Sequence, residues 1–266
     1  MSKLAVLALF SILVFEGSLS QAQTCDRRFR VAVNAYKPLY SVDRSGRLSG
    51  LTYELVKEIE KRVGCIFSQQ PSDTPRMFED FSSYRTDFIA FLAKNDKANS
   101  SGNFVPLYTV NRKFVVAKTA FVANKKIEDY IKDPKVRFTN QIGARMFFTA
   151  EEYNVLKDSN RVLEIPNPQV AYQMISEGRA QAMFSSPAIH HFHATENKSM
   201  NDKVVAVSDP TERIEVGMYI SKKRVSASEA AKVKNAIISM RDDGTLKKIL
   251  LKYVETEDIS TYAIAH

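Results

Sequence analysis

The segment from residue 28 to residue 70 reads RFRVAVN (28–34), then LTYELVKEIEKRVG (51–64), then CIFSQQ (65–70). Val31 and Val33 make the first run β-rich, as branched side chains suit a pleated strand. Leu51, Leu55, Val56, Ile59 and Val63 recur at helical spacing, and Gly64 marks where the helix stops. A strand, a helix and a second strand in succession predict a parallel pair joined by a crossover.

The alternation continues outward. A helix is expected over 75–84, an apolar strand over 87–93 and a long strand over 112–118. The pattern then restarts, with a short helix over 127–131 and a strand over 141–145. Thr149 and Glu152 form a capping box that opens another helix. Strands follow at 161–165, 180–185, 203–207 and 214–220, and helices at 167–177, 227–240 and 246–253. Two similar α/β halves therefore follow each other, with helices closing the chain. No Gly-x-Gly-x-x-Gly fingerprint and no phosphate-binding loop interrupts them.

Cys25 precedes the first strand and Cys65 the second. If those strands are parallel neighbours, both cysteines stand at adjacent strand starts. That is within the roughly 5–6 Å Cα separation a disulfide needs, so a structural Cys25–Cys65 bridge is expected.

The N-terminus offers Met1, Ser2 and Lys3, an apolar run from Leu4 to Phe15, and then Ser20-Gln21-Ala22. A basic start, an apolar middle and a small-residue end form a secretory signal over 1–22. The run is shorter than the about 20 residues that cross a bilayer. Cleavage is expected near Ala22, and Cys25 lacks the context of a lipoprotein site. An oxidising compartment agrees with the disulfide.

Losing residues 1–22 removes Lys3 and Glu16 and leaves the net charge at +8. The basic residues are dispersed, with no run of five like charges, so a solvated basic face is favoured over nucleic-acid binding. His190, His191 and His193 lack a nearby acidic residue or cysteine to complete a metal site and are read as surface histidines. No metal and no cofactor are expected. No Gly-x-Ser-x-Gly motif or Cys–His pair marks a nucleophile, so an enzyme is not expected.

Three further stretches carry a family likeness. Val31-Ala-Val-Asn-Ala-Tyr36-Lys-Pro38 leads into Gly46-Arg-Leu-Ser-Gly50-Leu-Thr-Tyr-Glu54-Leu55. Glu177-Gly178-Arg179-Ala180-Gln181-Ala182 closes a helix and opens a strand. Met240-Arg-Asp-Asp243-Gly244-Thr245-Leu246-Lys-Lys-Ile249-Leu-Leu-Lys252-Tyr253 lies near the C-terminus. Together they resemble the family 3 extracellular solute-binding proteins, the amino-acid-binding components of ABC importers.

The resemblance implies an α/β, two-lobed periplasmic-binding-protein-like fold of type II. Each lobe would be a mostly parallel sheet flanked by helices, and two crossing strands would join them. Lobe one would take residues 26–110 with 216–262, and lobe two residues 111–215. The loops after Asn34, Ala93, Arg145 and Ser185 would line the cleft, since ligands sit beyond strand C-termini in such sheets. The implied function is capture of a small molecule, as a periplasmic monomer, for an inner-membrane ABC permease. A ligand-sensing module for a signalling partner and a small dehydratase or lyase are the alternatives on the same scaffold.

The site residues depart from the family pattern. No Arg lies between Asp87 and Arg112, where the family places the one that pairs with a ligand carboxylate. Lys94 or Lys97 could substitute, without the planar fork of Arg. The small residues of the family's carboxylate-binding turn align with Phe147-Phe148-Thr149, and the Asp that meets the ligand ammonium aligns with Ser186. An ordinary α-amino acid is therefore not the expected solute. Tyr36 is placed by the resemblance as a stacking aromatic, Phe91 ends a buried strand as core or cleft floor, and Arg76 and Arg145 are candidates for an anionic group. Phe147, Ser185 and Ser186 follow from alignment.

Overall fold

The computed structural model describes residues 25, 27–144, 148–260 and 262–264. The signal expected over 1–22 lies outside the described residues.

The opening unit forms as its sequence predicts. Strand β1 (Arg28–Asn34) buries Phe29, Val31 and Val33. Between it and the first helix lies a small hairpin, β2 (Ser41–Val42) with β3 (Leu48–Ser49). Helix α1 (Leu51–Val63) buries Leu51, Leu55, Val56 and Ile59. It starts at Gly50, where φ is 128° and a Cβ would come within 2.4 Å of the Leu39 carbonyl oxygen, so only glycine fits. Strand β4 (Ile66–Ser72) pairs parallel with β1, Arg28 opposite Ile66. That register brings Cys25 and Cys65 together as a disulfide with a Cα separation of 4.8 Å.

Helix α2 (Thr74–Ser82) starts at Asp73, which accepts the Arg76 amide, and leads to the fully buried β5 (Phe88–Ala93). A short α3 (Asp96–Asn99) precedes β6 (Gly102–Ala117), the first crossing strand. The second half holds α4 (Ile127–Lys132), β7 (Phe138–Gln141), α5 (Ala150–Asp158), β8 (Val162–Ile165), α6 (Pro168–Ser176) and β9 (Ala182–Ser185). It closes with α7 (Pro187–Glu196) and α8 (Lys198–Asn201). The chain returns along β10 (Val204–Ser221) and ends with α9 (Ala227–Asp242), α10 (Thr245–Leu250), α11 (Thr256–Ile259) and β11 (Ala263–Ile264).

The strands run in the order β4-β1-β5-β10-β6-β9-β7-β8, with β11 added to β6. β4, β1 and β5 are mutually parallel and attach to the Val216–Ile220 end of β10; β8, β7 and β9 are mutually parallel and attach to the Lys113–Val116 end of β6. Two parallel sheets thus hang from one antiparallel pair of long strands, which cross between the lobes. In each lobe helices cover both sheet faces, as the paired apolar clusters show. The crossing strands are tied where Arg112 meets Asp209 at 2.7 Å, both buried.

Three expectations are corrected. The strand expected over 141–145 is Phe138–Gln141, because Gly143, at φ 85°, turns the chain away after it. The runs 203–207 and 214–220 are one strand, whose register shifts between Asp209 and Arg213. The histidines are not all on the surface: His193 is only 6% exposed.

Candidate functional site

The C-terminal ends of β1 and β5 in one lobe face those of β7 and β9 in the other across a cavity of about 130 Å³. Asn34 enters it at the end of β1 and Tyr36 just after, Phe91 to Ala93 at the end of β5, Thr139 to Gln141 from β7, Phe184 and Ser185 from β9, and Ser186 from the turn into α7. The crossing strands supply its floor through Tyr108, Val110, Ile214 and Val216.

A chain of neutral hydrogen bonds spans the lobes beside this cavity. Tyr36 Oη donates to Gln141 Oε1 at 3.4 Å. Gln141 Nε2 donates to Thr74 Oγ1 at 3.0 Å, and Thr74 Oγ1 donates to Asn34 Oδ1 at 3.0 Å. Asn95 Nδ2 adds a second link, donating to the Gly143 carbonyl at 3.4 Å. Burial pushes the Tyr36 phenol up to about 12, so it stays a neutral donor.

One wall comes from the far end of the chain. β11 pairs with β6 at Tyr108 and Thr109, and Tyr262 packs its ring 5.1 Å from that of Tyr108. Burial, with the neighbouring Tyr108 and Asp258 adding to it, raises the Tyr262 pKa well above the usual phenol value. Lys113 pairs with Asp258 at 2.5 Å and holds this segment against the second lobe.

Behind Ser185 lies a packed polar group. The Tyr172 hydroxyl sits 3.3 Å from Ser185 Oγ and 3.0 Å from His190 Nδ1. His193 stacks on the Tyr172 ring at 4.3 Å. Burial, with the nearby His190 adding to it, lowers the His193 pKa to about 4.

Of the residues singled out in the sequence, Tyr36, Phe91, Ser185 and Ser186 line the cavity. Phe91 holds a left-handed backbone (φ 45°), a conformation that costs a bulky residue energy and recurs at functional sites. Ser186 Oγ is occupied as the cap of α7, accepting the Ile189 amide. Arg76 and Lys94 are not brought to the cavity. Arg76 lies on the outer face of α2, 71% exposed, with Asp80 at 3.6 Å. Lys94 turns outward to Glu215 at 3.2 Å and lies over the Phe104 ring. Arg145 and Phe147 lie outside the described residues. Among the described residues, no charged side chain lines the cavity.

Thr74, Thr139, Asn140 and Gln141 went unremarked as site residues in the sequence, and Asn34 was named only as the residue before a cleft loop. Their one legible signal is three consecutive polar residues, Thr139-Asn140-Gln141, between apolar ones. Polar residues buried in a parallel strand need a reason, and lining a cavity is one.

Two α/β lobes on a pair of crossing strands, with a cavity closed between their strand ends, define the class of two-lobed solute-binding proteins. Residues 29–256 match the bacterial extracellular solute-binding proteins, family 3, and the chain belongs to that family. The histidine-binding periplasmic protein of Escherichia coli (strain K12) is 26% identical over 269 residues, covering 95% of this chain and 97% of that one. The L-cystine-binding protein TcyA of Bacillus subtilis (strain 168) is 24% identical over 230 residues, covering 85% and 80%. Among solved structures, an ancestral arginine-binding protein bound to arginine superposes with a TM-score of 0.71 at 23% identity, covering 86% of this chain and 98% of that one.

Proposed function

We propose that this protein captures a small solute between its lobes and delivers it to an inner-membrane ABC permease, and that the solute is not an ordinary α-amino acid. The cavity carries this reading: it is closed by bonds between the lobes, and its described lining holds no side chain to neutralise an ammonium or a carboxylate. Desolvating either charge without a partner costs several kcal/mol, about 2–7 even for a neutral polar group. Relatives named for histidine and cystine support solute capture as the class of activity. Tyr36, Phe91, Ser185 and Ser186 contact the solute.

The protein works as an exported periplasmic monomer, cleaved near Ala22. Lobe one takes residues 26–110 with 216–262 and lobe two residues 111–215, so that closure is a hinge motion on the crossing strands.

A thermal-shift screen over amino acids, aromatic acids, peptides, sugars and neutral aromatics tests the reading. A solute that binds only the native state raises the melting temperature by mass action. Stabilisation by a solute other than an α-amino acid is expected. Tight binding of common α-amino acids would refute that part of the proposal.

A further inference from the structure

The cavity walls are largely apolar or aromatic, with Phe91, Tyr108, Ile165, Phe184 and Ile214 among them. Two buried amides interrupt them, Asn34 from the first lobe and Asn140 from the second, 5% and 4% exposed.

The surrounding bonds fix which way each amide points. Gln141 Nε2 gives its proton to Thr74 Oγ1, and Thr74 gives its own to Asn34 Oδ1. The Asn34 oxygen is therefore taken and its Nδ2 donor is left over. Asn140 Nδ2 commits one of its two N–H groups to the Gln141 carbonyl at 3.3 Å, and its Oδ1 acceptor has no bond. Among the described residues, neither the Asn34 donor nor the Asn140 acceptor has a partner. Nearby, Thr139 Oγ1 is buried without one as well. The two amide atoms are open to the cavity and not sealed within the protein, so a donor from one lobe and an acceptor from the other stand available to orient a bound solute.

We propose that the solute is neutral and of single-ring size, with one head group that accepts from Asn34 and donates to Asn140: a primary amide, a lactam or a hydroxyl. This rests on the reading of the cavity as the solute site. Size agrees, because an apolar cavity of about 150 Å³ is known to hold benzene, and this one measures about 130 Å³. A sugar would need many more open polar partners than two amides and the Thr139 hydroxyl. The Tyr36 hydroxyl and Ser186 Oγ are already engaged within the protein.

Titration calorimetry of the exported protein with benzamide, acetophenone, toluene, benzoate, phenylalanine, histidine and cystine tests the proposal. Acetophenone keeps the acceptor of benzamide and loses the donor; toluene loses both. Benzamide should bind tightest. Each lost hydrogen bond should weaken binding about three- to tenfold, and the charged probes should bind weakest. Asn140→Leu should bring benzamide down to the level of acetophenone and leave acetophenone unmoved. The unmutated series tests the same pairing if that variant does not fold. Equal binding of benzamide and acetophenone overturns the proposal. Tighter binding of benzoate or an amino acid overturns it while leaving solute capture intact. Binding by none of these probes counts against both.

Discussion

Gln141 of the second lobe donates its amide to Thr74 of the first at 3.0 Å while accepting the Tyr36 phenol at 3.4 Å. One side chain thus holds two groups across the cavity mouth. A neutral hydrogen bond contributes about 0.5–1.5 kcal/mol net. Gln141→Ala should therefore weaken solute affinity about three- to tenfold, chiefly through a faster off-rate, as measured by stopped-flow fluorescence. Unchanged release would show that the contact does not hold the lobes.

The disulfide closes a sequence separation of 40 residues. Constraint of the unfolded chain by such a loop is worth roughly 2–5 kcal/mol. Cys25→Ala with Cys65→Ala should lower the stability measured by urea titration by that amount, with solute affinity preserved, because the bridge lies at the strand ends remote from the cavity.

Gly217 lies on β10 where it crosses β6, and a Cβ there would sit 2.2 Å from the Val105 carbonyl oxygen. Backbone cannot yield as a flexible side chain does, so Gly217→Ala should cost about 1–3 kcal/mol or more. A melting temperature within a degree of the parent would contradict that close approach.

His193 gives a pH dependence whose sign can be worked out. Its folded pKa is lowered to about 4 from 6.5, so the folded state takes up its proton later than the unfolded state. The stabilisation is complete above pH 6.5 and is lost as pH falls from there to about 4. His193→Phe, which keeps a ring on Tyr172, should flatten that part of the stability curve. Denaturant titrations of both proteins at pH 7 and pH 4.5 check it, the wild type losing about 1–3 kcal/mol more.

The parallel strand–helix–strand opening was legible because its apolar spacing is regular and Gly50 and Gly64 punctuate it. The disulfide followed from that register. β7 was misplaced by three residues, since Thr139, Asn140 and Gln141 break the apolar pattern of a buried strand; they are polar because they face the cavity. Helix α7 was missed because Pro187 and two adjacent histidines hide its periodicity. Phe91 could be placed from the end of its strand, and Tyr36 from the family resemblance. Tyr108 and Tyr262 meet only through β11 pairing, which no local pattern announces. Arg76 and Lys94 looked like cleft cations until the orientation of α2 and the Glu215 pairing were known.

The most direct test of a neutral interlobe site is a crystal structure with the tightest-binding solute from the thermal screen. Density for one small molecule between Asn34 and Asn140, walled by Phe91, Phe184 and Tyr262 and without an ion pair, is the expected result. A solute bound on the outer surface, or a carboxylate paired with a guanidinium inside the cavity, would contradict it.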